Sequence, residues 1–190
     1  MKYRVSSLAA ACLIALSPLA AGHEPTVAPR SGLRAELLAE IDAVEKKLLG
    51  LAGAVPAEKF GWRPGEGVRS VSEVYMHVAG ANFMIPNFVG VKPPAGIDRA
   101  MEKTVTEKGK VVETLKRSFD HLRTALRDLP EADFDKRVKL FGRDASGRSV
   151  FLLLLNHAHE HLGQSIAYAR SNGVAPPWSE EPPPAAAKGR

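Results

Sequence analysis

At 190 residues the chain is one domain's worth, long enough to bury a sizeable core. Hydrophobic residues at 45% and charged residues at 25% are ordinary for a soluble globular protein and exclude a low-complexity or disordered chain. The net charge of +5 is mild, and no lysine/arginine cluster is interleaved with aromatics, which excludes a built nucleic-acid surface.

The first 22 residues read as a secretory signal peptide. Lys2 and Arg4 make a basic start, Leu8 to Leu16 a short apolar run, and Pro18-Leu19-Ala20-Ala21-Gly22 a small-residue cleavage region. The run falls short of the about 20 apolar residues needed to span a bilayer, so no stable membrane span is expected after cleavage. An exported protein, periplasmic or secreted, is the expectation. Cys12 is the single cysteine. Ala9-Ala10-Ala11-Cys12 loosely imitates a lipidation box but lies midway through the apolar run. The mature chain then has no disulfide or thiolate of its own.

Residues 23–32, with Pro25 and Pro29, form a linker, and Ser31 is a candidate helix cap. Leu33, Leu37, Leu38, Ile41, Val44 and Leu48 then repeat at helical spacing up to Gly50–Gly53, and Val55-Pro56 ends the run. Phe60 to Gly67 is a turn-rich connector. Ser70-Val71-Ser72-Glu73 has the form of a capping box opening a second helix. The stripe of that helix is Val74, His77, Val78, Ala81, Met84, Ile85 and Phe88, with Pro86 placed to kink or end it. A long link from Gly90 to Lys103 follows, and Thr104-Val105-Thr106-Glu107 has the form of a second capping box. Val112, Leu115, Phe119, Leu122, Leu126 and Leu129 mark a third helix closed by Pro130. After a polar loop with a strand-like piece near Val138–Phe141, a fourth helix runs from about Ser149 to Ser171, with Asn172-Gly173 as its C-cap. The tail over 179–190 is proline- and alanine-rich and is expected to be disordered. Residues 33–178 therefore predict an all-α fold, a four-helix bundle.

Three of the six histidines fall within Asn156-His157-Ala158-His159-Glu160-His161. Successive side chains on a helix turn by about 100°, so His157 and His161 share a face and His159 points the other way. His77 faces inward from the second helix. A lone histidine on an apolar face is more often a packed core residue than a ligand. Three on inward faces of two helices change that balance, because burying imidazoles without partners is costly. Together they form a usual ligand set for zinc, nickel, iron or copper, with positions left open for water or substrate. A divalent metal is the expected cofactor, zinc or nickel ahead of iron or manganese. Ala158 after the first histidine of the pair disfavours a zincin-type protease.

Gln164 projects close to the same direction one turn beyond His161, Tyr168 a turn further, and Glu73 one turn before His77. Each could orient a ligand, touch substrate or move a proton. Each also has a plainer role, Glu73 in the capping box and the other two at a packed boundary. No catalytic residue can be named.

The segments Ser70-Val71-Ser72-Glu73-Val74-Tyr75-Met76-His77, Asn156-His157-x3-His161-x-Gly163-Gln164 and Tyr168-x-Arg170-x2-Gly173-x2-Pro176-Pro177 resemble the DinB-like (DinB/YfiT) superfamily, over roughly Leu33 to Ser179. The resemblance implies a bundle with a long crossover between the second and third helices, matching Gly90–Lys103. It also implies a divalent metal on His77, His157 and His161, and commonly a homodimer. Members studied as enzymes include thiol-dependent S-transferases, maleylpyruvate isomerase-like proteins and hydrolases. This chain departs in carrying Leu162 where many members have arginine before Gly-Gln. Its export signal also fits poorly with a cytosolic thiol co-substrate.

Several functions are therefore expected to compete. One is a metal-dependent hydrolase or thiol S-transferase acting on a small-molecule substrate. Another is a non-catalytic bundle that binds metal or a small molecule. A third is a purely helical interaction protein with its histidines packed in the core, and a bis-histidine haem bundle, with no Cys-x-x-Cys-His motif to support it, is a remote fourth.

Overall fold

The computed structural model describes residues 32–179. The segment expected to be a signal peptide, with Cys12, most of the expected linker with His23 and Ser31, and the tail after Ser179 lie outside the described residues.

Four long helices carry the fold: α1 (Leu33–Ala54), α2 (Val71–Met84), α4 (Lys108–Asp128) and α5 (Gly147–Ser171). Between α2 and α4 the crossover contains a short helix, α3 (Met101–Thr104). An antiparallel hairpin of β1 (Arg137–Leu140) and β2 (Arg143–Ser146) precedes α5. Helices α1 and α2 each pack against α4 and α5, so α1 lies diagonal to α2. The architecture is the all-α bundle that the periodicity predicts, with the long crossover that the resemblance implies.

Burial follows the apolar spacing. Leu37, Leu38, Ile41, Val44, Leu48 and Leu51 on α1 meet Leu115, Phe119, Leu122 and Leu126 on α4 in one core. Burying such side chains stabilises by about 1.5–3 kcal/mol each. Two ion-pair clusters lock the outer seam between α1 and the α4 end. Arg123 of α4 pairs with Asp42 and Glu45 of α1. Arg34 donates to the carbonyls of Leu126, Arg127 and Leu129, satisfying orphan acceptors where α4 stops.

The capping box at the start of α2 is present in full: Ser70 Oγ accepts from Glu73 N at 3.3 Å, and Glu73 Oε2 accepts from Ser70 N at 2.9 Å. Helix α2 gives way at Met84 to a 3-10 turn over Ile85–Val89, as the missing N–H of Pro86 requires. Of its expected apolar stripe only Val74 and Val78 are fully buried, whereas His77, Ala81, Met84, Ile85 and Phe88 are half-buried along a cavity. The core face of α2 is completed by Val71, Tyr75, Ala79 and Phe83, which lie off that stripe. His77 is thus at a cavity wall, not in mid-core.

Three local expectations are corrected. Thr104 does not cap α4. It ends α3, its Oγ1 donating to the Ala100 carbonyl at 3.1 Å, and Glu107 caps α4 by accepting from Gly109 N at 2.7 Å and Lys110 N at 3.0 Å. Helix α1 takes Gly32, at φ 93°, as its N-cap residue. Helix α5 begins at Gly147, two residues ahead of Ser149, because the hairpin delivers the chain directly into it. A Cβ on Gly147 would lie 2.1 Å from the Asp133 carbonyl oxygen, so only glycine permits that approach. The strand-like piece near Val138 is β1, and its turn places Phe141 (φ 49°) and Gly142 (φ 82°) in the left-handed region.

Candidate metal centre

Helix α2 presents His77, and one turn of α5 presents His157 and His161. A ligand nitrogen from each lies within 4.8 Å of the other two. The ring centroids of His77 are 4.9 Å from His157 and 4.8 Å from His161, and the α5 pair are 4.5 Å apart. His161 is buried and the other two are half-buried. His159 is exposed on the outer face, with Nδ1 3.0 Å from the Leu155 carbonyl oxygen. The helical angles therefore sort the cluster as expected.

Neighbouring groups decide which nitrogens are available. Glu102 Oε2 lies 3.0 Å from His77 Nδ1. Burial opposes ionisation of this carboxyl, but hydrogen bonds from Arg69 and His77 outweigh it and hold the acid below the usual carboxylate range. A carboxylate only accepts, so His77 Nδ1 carries the proton and its Nε2 keeps a lone pair. On α5, His161 Nδ1 donates to Gln164 Oε1 at 2.7 Å, and Gln164 Nε2 donates to the Tyr168 hydroxyl at 3.0 Å. That leaves the Nε2 of His161 also free to ligate. Tyr168 is fixed in turn by Trp62, whose ring stands edge-on to it at 5.3 Å.

Nε2 of His157 faces Nε2 of His77 at 3.1 Å. Two nitrogens bound to one tetrahedral zinc at about 2.0–2.1 Å would stand roughly 3.3 Å apart, so the donor set fits a metal. The other nitrogen of His157, Nδ1, is buried without a hydrogen-bond partner. Burial first, then the nearby His161, His77 and Arg69, push the His157 pKa down to about 4. Burial likewise lowers His77, despite the opposing bond to Glu102. Neutral imidazoles are what metal ligation requires.

Gln164 thus reaches His161, as its angle on the helix suggests, and Tyr168 touches Gln164 but none of the three histidines. Glu73 stays in the capping box, where it also pairs with Lys103 at 3.0 Å and Arg63 at 3.2 Å, so the plainer role describes it. Glu102 and Arg69 are the partners that periodicity does not reveal. Arg69 Nε donates to Glu102 Oε1 at 2.8 Å, making a three-residue line, Arg69-Glu102-His77. The signal available in the sequence was only an acidic residue at the far end of a crossover that must pass α2.

A cavity of about 650 Å³ opens beside His77 and His157, bounded by α2, the crossover, Phe141 of the hairpin turn and Leu153 of α5. A second hollow of about 410 Å³ shares Arg69 and Glu102 as walls and reaches Lys103 and Gln164. Among the described residues, no helix is long and apolar enough to cross a membrane.

Known proteins agree with this architecture. An uncharacterized protein, YjoA of Bacillus subtilis (strain 168), is 24% identical over 127 residues, covering 65% of this chain and 80% of its own length. The crystal structure of a DinB-like protein from Bacillus cereus ATCC 10987 superposes with a TM-score of 0.67 at 18% identity, over 76% of this chain and 95% of that one. The crystal structure of YjoA, described as DinB-like, gives 0.59 at 20% identity, over 77% and 95%. These likenesses support the fold. The family model of the DinB superfamily matches residues 40–165, well over half of the sequence, and the chain belongs to that superfamily.

Proposed function

We propose that His77, His157 and His161 hold one divalent metal ion, zinc or nickel in the first instance, and that the chain is an exported hydrolase of a small organic molecule. The carrying observation is the convergence of the three imidazoles within 4.8 Å at the edge of a cavity. Three ligands rather than four are the pattern of reactive zinc sites. When bound, such an ion supplies Lewis-acid chemistry, acidifying a water or a substrate thiol.

The chain's own residues prepare that site. Glu102 holds the His77 proton on Nδ1 and Gln164 holds that of His161, so both rings offer Nε2 without rearrangement. Tyr168, accepting from Gln164 Nε2, keeps the amide from turning its nitrogen toward His161. The shared wall of the two hollows gives a substrate access beside His77. Thiol transfer has the same first requirement. The signal expected over residues 1–22 would send the chain where reduced thiols are scarce, which favours water as the nucleophile.

The test is a panel of esters, amides and thiol-conjugation pairs offered to metal-loaded wild type and to His161→Ala. Turnover of at least one hydrolysable class by wild type, lost on substitution, is the expected result. Identical behaviour of the two proteins throughout would leave a binding module in place of an enzyme.

A further inference from the structure

The larger cavity carries a chemical preference of its own. Much of its lining is apolar, with Met84, Ile85, Phe88 and Leu153 among it. The segment before α2 and the crossover add Arg69, Asp98, Arg99 and Glu102 to the lining. These four charges sum to zero but are not equally engaged. Both carboxylates are occupied inside the protein. Asp98 Oδ1 accepts from Ala100 N at 2.8 Å and Met101 N at 3.2 Å. Glu102 spends one oxygen on Arg69 and the other on His77. The cations are not used up. Arg69 employs only Nε, and the Arg99 guanidinium makes no hydrogen bond or ion pair with any described residue.

We propose that this cavity takes an organic carboxylate with an apolar body, its acid group held by Arg99 and the Nη atoms of Arg69. This rests on the metal-site reading for its chemistry but not for its recognition. A guanidinium meets a carboxylate with two parallel N–H donors and remains charged at any working pH. A bound divalent ion at the histidines would add to the positive side and strengthen the preference. The apolar lining supplies the complementary half: Phe88 packs its ring 4.9 Å from Phe141, and Met84, Ile85 and Leu153 beside them offer no polar partner. A cavity of about 650 Å³ lies within the range that holds ligands of drug size.

Binding is measured calorimetrically with two matched pairs, octanoate against octanamide and 4-phenylbutyrate against its amide, at fixed ionic strength. Four proteins are compared: metal-loaded wild type, chelator-treated wild type, Arg99→Gln and Phe88→Ala. Arg99 is exposed and unpaired, so its replacement leaves the fold intact. The expected result is about tenfold tighter binding of each acid than of its amide. Arg99→Gln removes most of that ratio and leaves amide affinity unchanged, while Phe88→Ala weakens acid and amide together. A ratio that survives chelation yet falls in Arg99→Gln supports the acid site, whatever metal analysis says of the histidines. A ratio that vanishes on chelation and ignores Arg99→Gln assigns the preference to the metal and overturns the proposal. So does equal binding of acid and amide, or no binding of either.

Discussion

Oε2 of Glu102 lies 3.0 Å from Nδ1 of His77, across 25 residues of chain. The contact joins the crossover to α2 and fixes the proton of a metal-ligand candidate. Replacing a carboxylate that orients a ligating histidine costs about 10–100-fold in metal affinity. Glu102→Ala is expected to lose that much in a zinc competition titration, with Glu102→Gln in between, since its amide oxygen can still accept. Unchanged affinity in both would remove Glu102 from the site.

His157 offers a sharper discrimination between a metal ligand and a packed residue. Its Nδ1 is buried and unpartnered, an arrangement that costs about 1–3 kcal/mol. In chelator-treated protein, His157→Leu should raise the midpoint of thermal unfolding, because an apolar side chain replaces an unsatisfied imidazole. The same variant should lose the rise in midpoint that added zinc gives wild type. A metal-free variant less stable than wild type would make His157 a packing residue.

Acid should weaken the metal-free fold well before its carboxylates titrate. Burial depresses His121, whose Nε2 is buried without a partner, and it depresses His77 and His157 in the same direction. The unfolded chain then binds protons near pH 6.5 that the folded chain refuses, so stability rises with pH in this window. Stability should be full above about pH 6.5 and decline as the pH falls toward about 4. Urea midpoints of chelated protein at several pH values measure the slope. His121→Leu, remote in sequence from the three clustered histidines, should flatten it in part; an unaltered slope would exclude His121 as a contributor.

The junction of hairpin and α5 predicts a strict glycine. With a Cβ at Gly147 only 2.1 Å from the Asp133 carbonyl oxygen, Gly147→Ala forces the backbone apart. Overpacking of this kind costs about 1–3 kcal/mol. A much smaller change is expected at the turn, where Phe141 sits at φ 49°. Phe141→Asn creates an Asn-Gly pair suited to two left-handed residues, a gain of about 1 kcal/mol, which loss of the ring contact with Phe88 offsets by about 0.5–1.5 kcal/mol. Chemical denaturation of the two variants checks the difference.

The histidines were legible because they obey a local rule. His157 and His161 are one turn apart, and His77 shares a face with residues of a strong capping box. Gln164 and Tyr168 followed from the same arithmetic. Glu102 was not legible, since it sits in a four-residue helix within a crossover where no periodicity points inward. Thr104 and Glu107 misled for a related reason: two helix ends lie four residues apart, and the pattern of a box does not tell which end uses it. The split of the α2 stripe between core and cavity depends on where the crossover lies, which is a tertiary fact.

The crossover has one further consequence. Because Glu102 ties residues 90–107 to His77, an ion that holds His77 in place also steadies that segment. By linkage, the segment is then more ordered with the ion bound than without it. Cleavage by a protease near Lys92 or Arg99 therefore becomes a gauge of occupancy: zinc should slow nicking in wild type and leave the rate in Glu102→Ala unaltered. The connection that merely carries the chain from one end of the bundle to the other is thereby the part whose order depends most on what the bundle holds.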